Sequence, residues 1–167
     1  MTLQLVGCAS THQESPETLI QEVTTQPGQP TEVIRYQGKI LKKENSDNDS
    51  ASSMEYSLDA LKPKNGKDRV FMVVSYQYEG QWKQYLHAID RDGRRYEALS
   101  ISSTPSCELF CNLEERLVFE IPVATLNSNI NQGLEFHLEG PSNHISPGIS
   151  FPPTYLSEFI ETIHLTH

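Results

Sequence analysis

The stretch Arg69-Val70-Phe71-Met72-Val73-Val74-Ser75-Tyr76-Gln77-Tyr78 decides the fold. Its first half is apolar on both faces, the mark of a central strand covered from both sides. The apolar run Val70–Val74 is strand-sized and far below the ~18 residues a membrane-crossing helix needs. On its N-terminal side, Met54, Tyr56 and Leu58 alternate with Glu55, Ser57 and Asp59. That gives a second strand, closed off by Pro63 and Asn65-Gly66. On its C-terminal side, Gly80 turns the chain into a strand over Trp82–Asp90. Asp90-Arg91-Asp92-Gly93 then forms a tight hairpin, Asp-Gly supplying the positive φ, with Arg94–Ser103 as the return strand.

Further out the alternation is cleaner. Leu117, Phe119 and Ile121 face inward against Arg116, Val118 and Glu120. Leu134, Phe136 and Leu138 do so against Glu135, His137 and Glu139. Pro122 and Gly140-Pro141 end these strands. Upstream, Ile34, Tyr36 and Ile40 share one face of a strand over Glu32–Leu41, and Glu44–Ser50 reads as a polar loop. In the tail, Leu156, Phe159, Ile160 and Ile163 recur at helical spacing, which predicts a short C-terminal helix with its apolar stripe against the sheet. About seven strands with short connections predict an all-β fold, an antiparallel β-sandwich of immunoglobulin-like type with that helix at its end. An α+β roll is the alternative.

The chain has 167 residues and a formal net charge of −9, from 13 basic and 22 acidic residues. This argues against a nucleic-acid partner, whose phosphates require clustered Lys and Arg. Hydrophobic residues make up 37% and the mean hydropathy is −0.48. The apolar deficit is concentrated in residues 9–32 and 42–53, so the remainder is long enough to bury a core. The organisation read from this is residues 1–7, residues 8–31, and one β-rich domain over residues 32–167.

The opening, Leu5-Val6-Gly7-Cys8-Ala9, resembles the lipobox of bacterial lipoproteins: an aliphatic residue, a variable one, a small one, then Cys. The resemblance implies that the Cys8 thiol carries a diacylglyceryl group and that the chain is cut before it. Residues 1–7 are then the remnant of an export signal whose basic and apolar parts lie upstream. Two or more acyl chains give stable anchoring to a membrane. Ala9 after the Cys resembles the pattern of outer-membrane lipoproteins facing the periplasm. The Pro-, Ser-, Thr- and Gln-rich residues 9–31 read as a flexible tether. A short helix capped by Ser15-Pro16 and carrying Leu19, Ile20 and Val23 is the competing reading. The competing compartment is the cytoplasm, with three reduced thiols.

Cys107 and Cys111 stand four residues apart. In an exported protein this pair is expected to form a disulfide that fixes a loop. A zinc site would need two more ligands, and a thioredoxin-like pair has two intervening residues where this one has three. No metal and no cofactor are expected. Asp90–Gly93 lacks the third alternating ligand of a calcium loop.

Tyr76, Tyr78, Trp82, Tyr85 and Tyr96 fall on three successive predicted strands. They form a candidate binding surface for a protein or peptidoglycan partner, or else one face of the core. For catalysis, Ser142 and His144 in Gly140-Pro141-Ser142-Asn143-His144 come closest to a nucleophile and base, but nothing orients the His and a turn is the simpler reading. The function expected is a non-enzymatic binding or scaffolding module of the cell envelope. The alternative is a small envelope hydrolase or enzyme inhibitor with a site assembled from distant residues.

Overall fold

The computed structural model describes residues 18–26, 29–47, 50–64, 66–107 and 111–163, with side chains over 33–44, 52–64, 66–99, 101–105 and 112–163. The strands are β1 (Thr18–Gln26), β2 (Gln29–Gln37), β3 (Leu41–Asp47), β4 (Ser50–Pro63), β5 (Arg69–Glu79), β6 (His87–Asp90), β7 (Arg95–Cys107), β8 (Cys111–Ile121), β9 (Leu134–Glu139) and β10 (Ile149–Phe151). Helix α1 spans Val123–Asn129 and helix α2 spans Pro153–Ile163.

All strand pairs are antiparallel and follow one path, β1-β2-β4-β5-β8-β7-β6-β9-β10, with β3 also on β4. The all-β class with a C-terminal helix is as expected. Two facing sheets of immunoglobulin type are not shown, because the single sheet curls into a half-barrel. The bend lies in β7. Its start, Arg95–Glu97, pairs with β6, while Ala98–Cys107 pairs with β8. The register slips between Ala98 and Ser100 and leaves Leu99 as an extra, exposed residue. A bulge of this kind sharpens the local twist and turns a sheet corner.

Period-two burial fills the concave face. Met54, Tyr56, Leu58 and Ala60 of β4, Val70, Met72, Val74, Tyr76 and Tyr78 of β5, and Leu117, Phe119 and Ile121 of β8 are all buried there. Helix α2 closes the open side with Tyr155, Leu156, Phe159 and Ile163, close to the predicted stripe. Each such side chain, fully buried, contributes about 1.5–3 kcal/mol. Central strand β5 is confirmed between β4 and β8.

Several expectations are corrected. Thr18–Gln26, read as part of the tether or of a short helix, forms edge strand β1 on β2. Its Thr, Ile and Val residues suit an extended backbone, and β2 offers an open edge. The strand expected over Glu32–Leu41 breaks at Gly38–Ile40, so Ile40 is exposed and β2 and β3 lie end to end along β4. The expected polar loop at Glu44–Ser50 is largely β3, whose residues pair with the start of β4 despite their polarity. Trp82–Leu86 is a loop, and β6 begins only at His87. Helix α1, which the sequence reading left out, follows Pro122 and buries Thr125 and Leu126. The Asp90–Gly93 hairpin turn forms as expected, with Gly93 at φ +80° and Gly93 N–H donating to Asp90 O at 3.0 Å.

Candidate functional site

Period-two reading of β8, carried two residues further back, sets Glu115 on the same face as Leu117. There it lies, completely buried. A carboxylate in such a place must have its oxygens satisfied. The loop after β5 provides this. Gln84 N–H donates to Oε1 at 3.0 Å, Tyr85 N–H donates to Oε2 at 2.9 Å, and the Tyr78 hydroxyl also donates to Oε1. The same Tyr78 oxygen accepts Lys83 N–H at 2.9 Å. Glu115 and Tyr78 together thus hold three successive loop residues, with Gln84 at φ +53°. This is why Lys83–Tyr85 is not a strand: these three amides bond inward to Tyr78 and Glu115, and strand-type bonding resumes only at Leu86, whose N–H donates to Glu139 O at 3.0 Å.

The tyrosine cluster around Glu115 corrects the expected aromatic surface. Tyr76 and Tyr78 are 2% exposed and Tyr85 is fully buried. Trp82 and Tyr96 pack partly buried against the same core. All five belong to, or pack against, the one hydrophobic cluster that also takes up the apolar face of α2. The Tyr76 ring lies tilted at 5.1 Å from Tyr78 and 5.8 Å from Tyr85, and the Lys83 ammonium lies 4.6 Å over the Tyr78 ring. Burial pushes the phenols of Tyr76, Tyr78 and Tyr85 up; for Tyr78 the bond to Glu115 adds to it. Tyr96 donates to Asp90 Oδ2 at 2.9 Å, and burial first, then this bond, raises it as well. The five aromatics therefore build the core.

Solvent reaches a different place. Where the two ends of the curled sheet approach, a groove of about 460 Å3 opens on the outside of β6, β9 and β10. Ile89 and Gly148 form part of its floor, and Lys43, Arg91, Glu135 and His137 stand around it. Lys43 reaches from β3 and donates to Gly148 O at 3.0 Å, and inside the seam Tyr56 donates to Ser150 O at 3.3 Å. The Arg91 guanidinium bonds both oxygens of Glu135, at 3.2 and 2.7 Å. These residues are scattered through the sequence and meet only because the sheet curls. No local pattern could have found them.

The other candidates are quickly placed. Cys8 lies outside the described residues. Cys107 and Cys111 are register partners at the end where β7 connects to β8, but their side chains lie outside the described ones, and so does the expected bridge. His144 Nδ1 lies 3.4 Å from Lys83 O, and Ser142 and Asn143 take positive φ in a one-turn 3-10 segment, so that loop is a turn. Among the described residues no three His, Cys, Asp or Glu side chains converge on a metal-sized site, and no helix is long and apolar enough to cross a membrane. Comparisons with protein-family models, curated proteins and solved structures returned no match.

Proposed function

We propose that this chain is a cell-envelope lipoprotein, anchored through acyl chains on Cys8, whose β domain acts as a non-enzymatic binding or scaffolding module on the periplasmic side of a membrane. The observation that carries the reading is Leu5-Val6-Gly7-Cys8-Ala9, the lipobox-like stretch shortly before the first described strand. The register pairing of Cys107 with Cys111 supports it. Directly opposed residues of an antiparallel pair have Cα atoms roughly 4.5–5.5 Å apart, within disulfide range, and an oxidising compartment would favour the bond. In this reading the curled sheet packs as a sandwich-like pair of layers, which the Tyr56–Phe151 ring contact at 5.3 Å supports. The solvent-open groove at the seam supplies a binding surface, in place of the buried aromatics.

The test is the intact mass of the protein expressed from its native locus, upstream codons included, in membrane and soluble fractions. Cleavage before Cys8 with an acyl adduct is the expected result. A soluble, unmodified chain starting at Met1 would overturn the reading.

A further inference from the structure

We propose that the seam groove binds the carboxyl terminus of a short extended peptide, with the Lys43 ammonium holding the terminal carboxylate. The inference rests on the binding-module reading and names the ligand class for it. The volume of about 460 Å3 lies in the range of small-ligand sites.

A lysine ammonium has three N–H donors. Among the described residues, Lys43 places one of them on Gly148 O, a neutral acceptor. The other charges lining the groove are engaged: Arg91 and Glu135 neutralise each other through two bonds, and the Asp90 oxygens take Arg94 N–H at 2.8 Å and the Tyr96 hydroxyl. Among the described residues, Lys43 is therefore a groove cation without an anion, and a carboxylate is the complementary group.

The backbone at β10 favours a peptide over a simple organic acid. Strand β10 pairs with β9 and with no other strand. The carbonyls of Gly148 and Ser150, two residues apart and so on one side of the chain, are occupied by the Lys43 and Tyr56 side chains instead of a neighbouring strand. An extended peptide can add to such an edge, its N–H replacing Lys43 on Gly148 O while the freed ammonium turns to the terminal carboxylate. Gly148 leaves room for this: a Cβ there would meet only Phe136 O, at 3.9 Å. Ile89 offers an apolar rest for a small side chain.

The experiment is an amide-correlation NMR titration of the full chain with N-acetyl-dialanine, its carboxamide and propionate. Saturable shifts at the Lys43, Ile89, Gly148 and Ser150 amides are expected with the peptide acid. Binding should weaken by roughly tenfold or more with the carboxamide, and likewise in Lys43→Gln, since a charge-assisted bond is lost. Gly148→Val, which fills the open space, should abolish it. No shifts at these amides up to about 10 mM peptide, where even a weak site responds, would overturn the proposal. So would equal binding of acid and carboxamide, or a propionate response as strong as the peptide's. The acid–carboxamide comparison uses unaltered protein and stands even where a variant fails to fold. None of these outcomes bears on Cys8, so failure here and failure of the lipoprotein reading are distinguishable.

Discussion

The hydroxyl of Tyr155 accepts the backbone N–H of Leu58 at 3.1 Å and donates to Lys39 O at 2.9 Å. It does so where β2 has ended and β3 has not begun, so the edge of β4 has no strand partner for Leu58. A side chain from the C-terminal helix thus completes a ladder of the sheet. Gly38 makes the approach possible: a Cβ there would stand 2.5 Å from Leu58 O and 2.6 Å from the Tyr155 hydroxyl. The helix is therefore a structural member of the sheet edge as well as a cover for the core.

Removing that hydroxyl leaves a buried amide without an acceptor, which costs about 1–3 kcal/mol. Tyr155→Phe is expected to lower unfolding free energy by that amount in urea titration with an unchanged m-value. Gly38→Ala should be at least as damaging, because the methyl must push against backbone. A Tyr155→Phe variant as stable as wild type would show that water replaces the hydroxyl.

Alkaline pH should unfold the protein cooperatively. Burial pushes the Tyr155 phenol up to about 12, and raises Tyr78, Tyr85, Tyr76 and Tyr96 as well. In the unfolded chain a tyrosine titrates near 10. A phenol raised on folding stabilises the native state fully below about 10, and that contribution is lost as pH climbs toward about 12. None of the seven tyrosines is exposed, so phenolate absorbance should rise mainly in a sharp phase coincident with loss of far-ultraviolet circular dichroism. A smooth titration of all tyrosines near 10 with structure retained would contradict their burial.

Strong alternation was legible in the sequence, and so were its consequences. Leu117–Ile121, Leu134–Leu138 and the helical stripe Leu156–Ile163 all occupy the predicted elements. What escaped was set by partners distant in sequence. Strand β3 is polar and exists because β4 offers it an edge. The loop at Trp82–Leu86 carries strand-like residues, yet Glu115, some thirty positions away, captures the Gln84 and Tyr85 amides. The tyrosines were visible, but whether they faced water or core depended on how the sheet curls. Glu115 itself left a signal, an acid in phase with Leu113, Leu117 and Phe119.

That acid should be among the most sensitive positions in the chain. Glu115→Ala removes the acceptor of Tyr78, Gln84 and Tyr85 together and leaves two backbone N–H groups and a hydroxyl to find others. Each of these buried donors left without an acceptor costs about 1–3 kcal/mol, so together they amount to a large share of a typical domain's stability. Glu115→Gln keeps one acceptor oxygen and should cost less. Chemical denaturation gives both values, and hydrogen exchange at Gln84 and Tyr85 should rise in both variants before the rest of the domain responds. Exchange unchanged at these two amides would show that the loop is held by something other than Glu115.

The cysteine pair gives a prediction that separates compartments. Closing the short loop between Cys107 and Cys111 would restrict the unfolded chain by about 2 kcal/mol at most, because so few residues are enclosed. Under oxidising conditions, Cys107→Ser with Cys111→Ser should therefore lower stability by up to that amount, and the wild-type protein should be lighter by about 2 Da, the pairing expected of an exported protein. In strong reductant the difference should vanish, since both chains then lack the bridge. The core should be indifferent to either state, because the pair flanks the connection between β7 and β8, two residues beyond Leu113, the nearest buried residue of β8 among the described ones. Identical unfolding curves with and without reductant, together with three titratable thiols in the purified native protein, would mean that the opposed cysteines stay reduced. The support they lend to an envelope location would then be withdrawn.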